Sequence, residues 1–450
     1  MKHVAIVGGG FAGLAAAVDL AECGVAVTVL EARARLGGRA YSFADRRSGV
    51  EIDNGQHAMM GCYTHSLAFL TKIGAAGKLH RQPRLRVEMR HARLGEGRIA
   101  SGNLPGPFHM ASAILGYRLL ARRERFQAMV AGARLMRMHR RADSRLSEWT
   151  VDALLDRLGQ SQNARTSFWY PLAVATLNEA PERAAAAPLA AVLAQAFFGS
   201  AADSQFVLPS VGLSRLYTDD ARRFIEQRGG HVQTKAVVSQ LAIAPDGRVT
   251  LDVQAGEPIT ADACILAVPP AALLPTLPPA WRSYPAFCRL TEIETSPIVS
   301  AHLWFDRPVM AADFVGLLGT TTQWVFNRSK LAPDAGLEGG RCVSAVISAG
   351  RAIVDWETSR IAQQVLDDLR QLLPATRAAH LEQSVVVKEK HATISPTPAA
   401  ERLRPSQETP VSTVWLAGDW TRTGLPPVIE GAVASGQRAA ACVAARVGAQ

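Results

Sequence analysis

The chain has 450 residues, 48% hydrophobic and 20% charged, which excludes a disordered polymer and predicts two or three packed units. Lys and Arg number 49 against 39 Asp and Glu, and the net charge of +10 suits an anionic partner. No aromatic-basic module accompanies the arginines, so a membrane surface is expected and nucleic acid is not. The six cysteines (Cys23, Cys62, Cys264, Cys288, Cys342, Cys442) contain no Cys-x-x-Cys pair, which argues against a disulfide framework and a zinc site, and no metal is expected.

Met1-Lys2-His3 runs directly into Val4-Ala5-Ile6-Val7, leaving no room for a cleaved leader, so a cytoplasmic location is expected. The apolar run predicts a strand covered on both faces. Gly8-Gly9-Gly10-Phe11-Ala12-Gly13 follows, then a helix through Leu20, then a second buried strand at 25–30 ending in Glu31. This is a βαβ unit with the G-x-G-x-x-G spacing. Gly8 makes the tight turn, Gly10 lets a pyrophosphate approach the backbone, and Gly13 permits close helix–strand packing. The N–H groups at Phe11 and Ala12 open the helix toward the phosphates, and Glu31, with Ala32 and Arg33 after it, faces a ribose diol. Gly37, Gly38 and Arg39, in Arg35-Leu36-Gly37-Gly38-Arg39, add amides and positive charge that point to FAD as the dinucleotide.

Residues 80–150 are rich in Leu, Ala, Met and Arg and read as helices, with Arg118, Arg122 and Arg125 on one face and Arg134, Arg137 and Arg141 on another. Residues 151–200 also read as helical. The apolar stretch 184–202 is interrupted by Pro188, Gln195 and Gly199 and is short for a membrane span, predicting a buried or interfacial helix. A helix is predicted over 213–227, strands over 232–243, 249–253 and 263–268, further strands at 299–305 and 342–347, and a helix over 359–373. The charged, proline-bearing stretch 388–410 reads as loop. Residues 414–417 form a strand entering Gly418-Asp419, and 431–447 an Ala-rich helix.

Gly8 to Gly13, Glu31, the Arg-x-Gly-Gly-Arg run, Leu416-Ala417-Gly418-Asp419-Trp420 and Val428-Ile429-Glu430-Gly431-Ala432 resemble the amine oxidase and carotenoid desaturase superfamily of flavoproteins. That resemblance implies an α/β fold with a Rossmann-like FAD-binding (GR2-type) domain and a second, mixed α+β substrate domain. It assigns residues 1–79, 205–270 and 385–450 to the first, and 80–204 and 271–384 to the second. It implies non-covalent FAD, with Asp419 beside Gly418 on the ribityl chain. The Ile429 N–H, flanked by Val428 and Ala432, meets the flavin O2 side, and Val238 meets adenine through its main chain.

Asp53-Asn54-Gly55-Gln56-His57-Ala58-Met59-Met60-Gly61-Cys62-Tyr63 is similar to a segment of the squalene-associated desaturases, understood as hydroxysqualene dehydroxylases of hopanoid synthesis. Phe168-Trp169-Tyr170-Pro171-Leu172 and Thr423-Gly424-Leu425-Pro426-Pro427 are similar to the same family. The resemblance implies reduction of hydroxysqualene to squalene, with Asn54, Gly55, Gln56 and His57 beside the flavin. It also implies a C30 isoprenoid substrate, an anionic membrane surface on the inner face of the cytoplasmic membrane, and contact with upstream prenyl synthases.

His57 is the candidate proton donor, because its ordinary pKa near 6.5 leaves both states accessible. Its other reading is a hydrogen bond to backbone or flavin phosphate. Asp53 is a second catalytic candidate or a support of the same loop, and Glu430 a flavin-side acid or the cap of the helix it begins. Trp169, Tyr170, Phe197, Phe198, Trp304, Phe305 and Trp324 are candidates for a prenyl tunnel or for plain core. The arginine-bearing helices at 113–145 suit anionic lipid. A carotenoid-type desaturase is the alternative reaction, and a flavin-bearing scaffold for a prenyl synthase the non-enzymatic one. An amine oxidase is disfavoured, since no aromatic cage for a nitrogen is evident and Trp420 stands where a flavin-linking cysteine would be expected in some members.

Overall fold

The computed structural model describes residues 2–448 apart from 47–48, 103, 105, 107 and 333–340. Strand His3–Val7 is central in a five-stranded parallel sheet ordered His231–Thr234, Ala26–Glu31, His3–Val7, Ala263–Leu266, Val414–Leu416. Its apolar run is unbroken because both faces are covered. Val4 and Ile6 pack with helices Phe11–Glu22 and Ile429–Gly448, while Ala5 and Val7 pack with a small antiparallel sheet and helix Pro270–Thr276. The two long helices approach closely at glycine: a Cβ on Gly436 would lie 2.1 Å from the Ala12 carbonyl oxygen.

The second sheet is mixed and seven-stranded, ordered Leu381–Ile394, Thr295–Phe305, Cys342–Ile347, Trp324–Asn327, Phe314–Leu318, Arg86–His91, Gly95–Ala100. Neighbours are antiparallel except Phe314–Leu318 against Arg86–His91. Alternation along these strands feeds two cores. Val299, Ala301 and Leu303 face the amphipathic helix Thr358–Leu372, whereas Met89, Phe314, Phe326 and Val346 face a helical layer that includes Arg122–Arg140, Tyr170–Leu177 and Ala186–Ala196.

Four local expectations differ. The helical reading of 80–150 fails at 86–100, where Arg86–His91 and Gly95–Ala100 form a hairpin whose polar residues occupy its open face. The single strand at 232–243 is two strands in different sheets, because the chain turns at Lys235 with φ +60°. The loop at 388–410 is strand as far as Ile394 and helix over Pro398–Leu403, and residues 385–394 pair with Thr295–Phe305 in the seven-stranded sheet rather than joining the parallel one. The basic stretch 113–145 breaks after Leu115, and Arg125 folds back to donate to the Leu115 and Leu120 carbonyls at 2.8 Å. Arg118 therefore precedes the helix that carries Arg122 and Arg125.

Candidate active site

At the end of strand His3–Val7 the chain turns through Gly8 at φ +111°, where a Cβ would meet the Ala267 oxygen at 2.6 Å. Gly13 serves packing: its Cβ would lie 1.9 Å from the Gly8 oxygen, and the residue does not line the cleft. Helix Phe11–Glu22 begins at Gly10 without a side-chain cap, so its first N–H groups are available to an anion. Glu31 closes one side, its Oε2 accepting from Gly9 N at 2.8 Å and its Oε1 from Arg33 N at 2.9 Å. On the other side Arg39 contacts Asp419 at 2.5 Å and donates to the Ala392 carbonyl at 3.1 Å. A backbone-lined hollow that Cβ atoms would fill, with an uncapped helix start, fits a dinucleotide pyrophosphate.

This cradle opens into a cavity of about 850 Å³. Of the residues predicted to bind cofactor, Gly8, Gly10, Phe11, Ala12, Glu31, Ala32, Arg33, Gly37, Gly38, Arg39, Asn54, Gly55, Gln56, His57, Gly418, Asp419, Val428, Ile429 and Ala432 line it. Val238 does not: it starts strand Val238–Ile243, buried against the underside of the parallel sheet. The same cavity has a large apolar lining that includes Ile298, Trp324, Phe326, Trp169, Phe197 and Phe198, with Phe108, Met129 and Gly132 contributed by the two helices Phe108–Leu115 and Arg122–Arg140. Tyr170, Trp304 and Phe305 do not line it: Tyr170 donates to Asp152, and Phe305 lies in the core behind the sheet.

The two catalytic candidates are placed apart. His57 lines the cavity, and its Nδ1 lies 2.9 Å from the Gly55 carbonyl. Burial holds its pKa below the ordinary histidine value, against the opposing pull of Gly55, Asp53 and Glu389. Asp53 faces away from the cavity. Its Oδ1 accepts from Ser42 Oγ at 2.7 Å and Leu213 N at 2.9 Å, and its Oδ2 is 2.9 Å from Arg328 Nη2 in a fully buried ion pair. His302 donates from Nε2 to the Asp53 carbonyl at 3.0 Å and accepts from Ser344 Oγ at 2.8 Å. Burial, and then the Arg328 charge, hold His302 down to about 4. Glu430 caps a neighbouring helix, accepting from His65 N at 2.9 Å and Ser66 N at 2.8 Å at the start of Thr64–Lys72.

Glu389 lines the cavity and was missed by sequence reasoning. Its Oε1 accepts from Tyr41 Oη at 3.1 Å and Asn54 Nδ2 at 3.0 Å. The β-branched run Val385-Val386-Val387 just before it was the available signal for a strand there.

A pyrophosphate cradle on a parallel sheet, sealed by a segment from the far end of the chain, is the framework of an FAD-dependent oxidoreductase, and this protein is one. Residues 11–444 match the family described as flavin containing amine oxidoreductase, and the chain belongs to that family. It is 28% identical to a hydroxysqualene dehydroxylase of Sinorhizobium fredii over 98% of this chain and 97% of that protein. It is 26% identical to a probable zeta-carotene desaturase of Synechococcus elongatus over 97% and 98%. A putative protoporphyrinogen oxidase from Exiguobacterium sp. shares the fold, with a TM-score of 0.70 at 19% identity and 99% coverage of both chains.

Proposed function

We propose that this protein catalyses the FAD-dependent reductive dehydroxylation of hydroxysqualene to squalene. The observation that carries the reading is a single cavity lined both by the glycine cradle and by a large set of aromatic and aliphatic side chains. The full-length likeness to the Sinorhizobium fredii dehydroxylase supports the same substrate. In this reading the parallel-sheet unit binds cofactor, and the seven-stranded sheet with its helical layer binds substrate. The Gly8–Ala12 turn holds the pyrophosphate, Glu31 the adenosine ribose, Asp419 the ribityl chain and the Ile429 N–H the flavin O2 side. The cofactor is held non-covalently, with Trp420 rather than a cysteine beside Asp419.

Reduced FAD, when bound, supplies a hydride. The residues supply the rest: His57 delivers a proton to the departing hydroxyl, and the aromatic walls exclude water from the allylic cation left behind and face it with π electrons. Anaerobic incubation of the purified protein, carrying chemically reduced FAD, with hydroxysqualene should give one squalene per flavin oxidised. No squalene from hydroxysqualene would end the proposal, and conversion of phytoene to more unsaturated products would establish a desaturase in its place.

The proposal extends to an anionic membrane surface. Helices Phe108–Leu115 and Arg122–Arg140 contribute to the cavity lining, and their outer surface carries Phe108, Leu115 and Phe126, 62%, 52% and 63% exposed, with the exposed Arg118, Arg122 and Arg123. No helix among the described residues is long and apolar enough to cross a membrane. Phe126→Asp is expected to lower the partition constant for phosphatidylglycerol vesicles at low salt, read by co-sedimentation, by roughly ten- to a hundredfold, from the ~1.5–3 kcal/mol that burying one phenylalanine contributes. Failure of the native protein to sediment with such vesicles would remove the membrane role.

A further inference from the structure

We propose that Glu389 is a positioning residue for the proton transfer, its carboxylate being the counter-charge that eases protonation of the buried His57 as the hydroxylated substrate enters. This rests on the dehydroxylase reading and deepens it. Cleaving the C–O bond consumes a proton at the hydroxyl, whereas forming a C=C bond releases one, so the site needs a group that is protonated inside an apolar cavity.

Three carboxylates line that cavity among the described residues: Glu31, Glu389 and Asp419. Glu31 is occupied by the main-chain N–H groups of Gly9 and Arg33, and Asp419 by Arg39. Glu389 is the one on the seven-stranded sheet, and it is tied to the loop that carries His57. Tyr41 Oη and Asn54 Nδ2 both donate to its Oε1, while Asn54 also bonds the Arg39 carbonyl at 2.9 Å and accepts from Tyr41 N at 3.2 Å. Two donors on one oxygen fix the carboxylate as an acceptor.

The His57 ring is oriented as well. A carbonyl only accepts, so Nδ1 carries hydrogen toward Gly55, and Nε2 is the atom that gains and loses the proton. The carboxylates whose charge acts on His57 are Asp53 of its own loop and Glu389 of strand Leu381–Ile394, and of the two only Glu389 lines the cavity with it. Asp53 is neutralised by Arg328, with neutral His302 bonded to its backbone. Arg39 feels Glu389 but is paired with Asp419. Both carboxylates oppose the burial of an imidazolium, and Glu389 is the one that lines the cavity with no cation paired to it among the described residues.

The step balances as follows. The Nε2 proton of the imidazolium moves to the substrate hydroxyl, and the C–O bond breaks with its electron pair leaving on water. Reduced FAD, where bound, would supply the hydride that reduces the allylic carbon, the flavin being the species oxidised. His57 ends neutral and regains its proton from solvent, and Glu389 stays ionised throughout.

Glu389→Gln removes the charge and keeps an acceptor for Tyr41 and Asn54. With histidine labelled at ring carbon and His57 assigned by its loss in His57→Gln, the His57 titration midpoint in the holoenzyme is expected to fall by about one pH unit. The alkaline limb of kcat should move with it, giving about a tenfold loss at pH 8 that disappears as the medium is acidified, with Glu389→Asp restoring most of the shift. A role confined to structure would lower kcat at every pH and leave the midpoint in place, and an unmoved midpoint overturns the proposal. A glutamine variant that lost its flavin would be compared with native protein stripped of flavin, the same shift being required. A native enzyme inert toward hydroxysqualene, with the shift intact, would discard the dehydroxylase reading and leave the pair standing; turnover with an unmoved midpoint would do the reverse.

Discussion

Replacing Arg328 by methionine is expected to destabilise the protein by about 3–5 kcal/mol, read as a fall in the midpoint of denaturant unfolding. Arg328 and Asp53 are both almost wholly buried, and their contact at 2.9 Å joins the short helix Arg328–Leu331, which follows a strand of the seven-stranded sheet, to the loop that leads to His57. The contact is ionic without a well-aligned hydrogen bond, and the guanidinium nitrogens have no other hydrogen-bond partner among the described residues. Such a pair adds little beyond its own desolvation, yet removing one member strands the other in a medium that solvates charge poorly. The double variant Arg328→Met with Asp53→Asn, which buries no charge, should recover at least half of the loss. A single variant within about 1 kcal/mol of the native protein would show that water reaches Asp53 and that the pair is unimportant.

Filling the apolar part of the cavity beside Phe198 should separate cofactor from substrate. Gly132 lies on helix Arg122–Arg140, where an added Cβ would only touch the Phe198 ring at 3.6 Å, so room remains for a larger group directed along the lining. Gly132→Trp is expected to leave flavin content and its visible spectrum unchanged while lowering kcat/KM for the proposed C30 alcohol by about 100-fold or more, because the chain could not reach the depth that aligns its reacting carbon. Gly132→Leu, a smaller obstruction, should give an intermediate loss. Unaltered turnover in a correctly folded Trp variant would mean that the isoprenoid chain lies elsewhere.

What could be read from the residues alone follows from how local each constraint is. The turn at Gly8, the packing at Gly13 and the acid at Glu31 are dictated within one βαβ unit, so their spacing is visible in a short window. Gly418-Asp419 is legible for the same reason, as a strand end followed by a helix. Glu389 and Arg328 were not legible. Glu389 meets Asn54 across 335 positions, and Arg328 finds Asp53 only after two sheets have formed and packed. Lys388-Glu389-Lys390 reads as solvated loop because both faces carry charge, yet the strand is half exposed and its acid turns toward the cleft. Glu430 shows the limit of local logic: a carboxylate in the first turn of a helix suggests that helix as its partner, and the tertiary fold gave it another.

The parallel sheet orders its strands so that Val414–Leu416 docks on Ala263–Leu266, which in turn flanks the strand made first. During synthesis the Gly8 turn therefore emerges hundreds of residues before Asp419 and Ile429, and a nascent chain can form only part of the cavity proposed to hold FAD. Until then the edge of Ala263–Leu266 that Val414–Leu416 will cover is an adhesive strip that must be shielded. Cofactor loading thus becomes a late checkpoint in biogenesis, and flavin shortage should show first as aggregated apoprotein rather than as a pool of soluble, colourless enzyme.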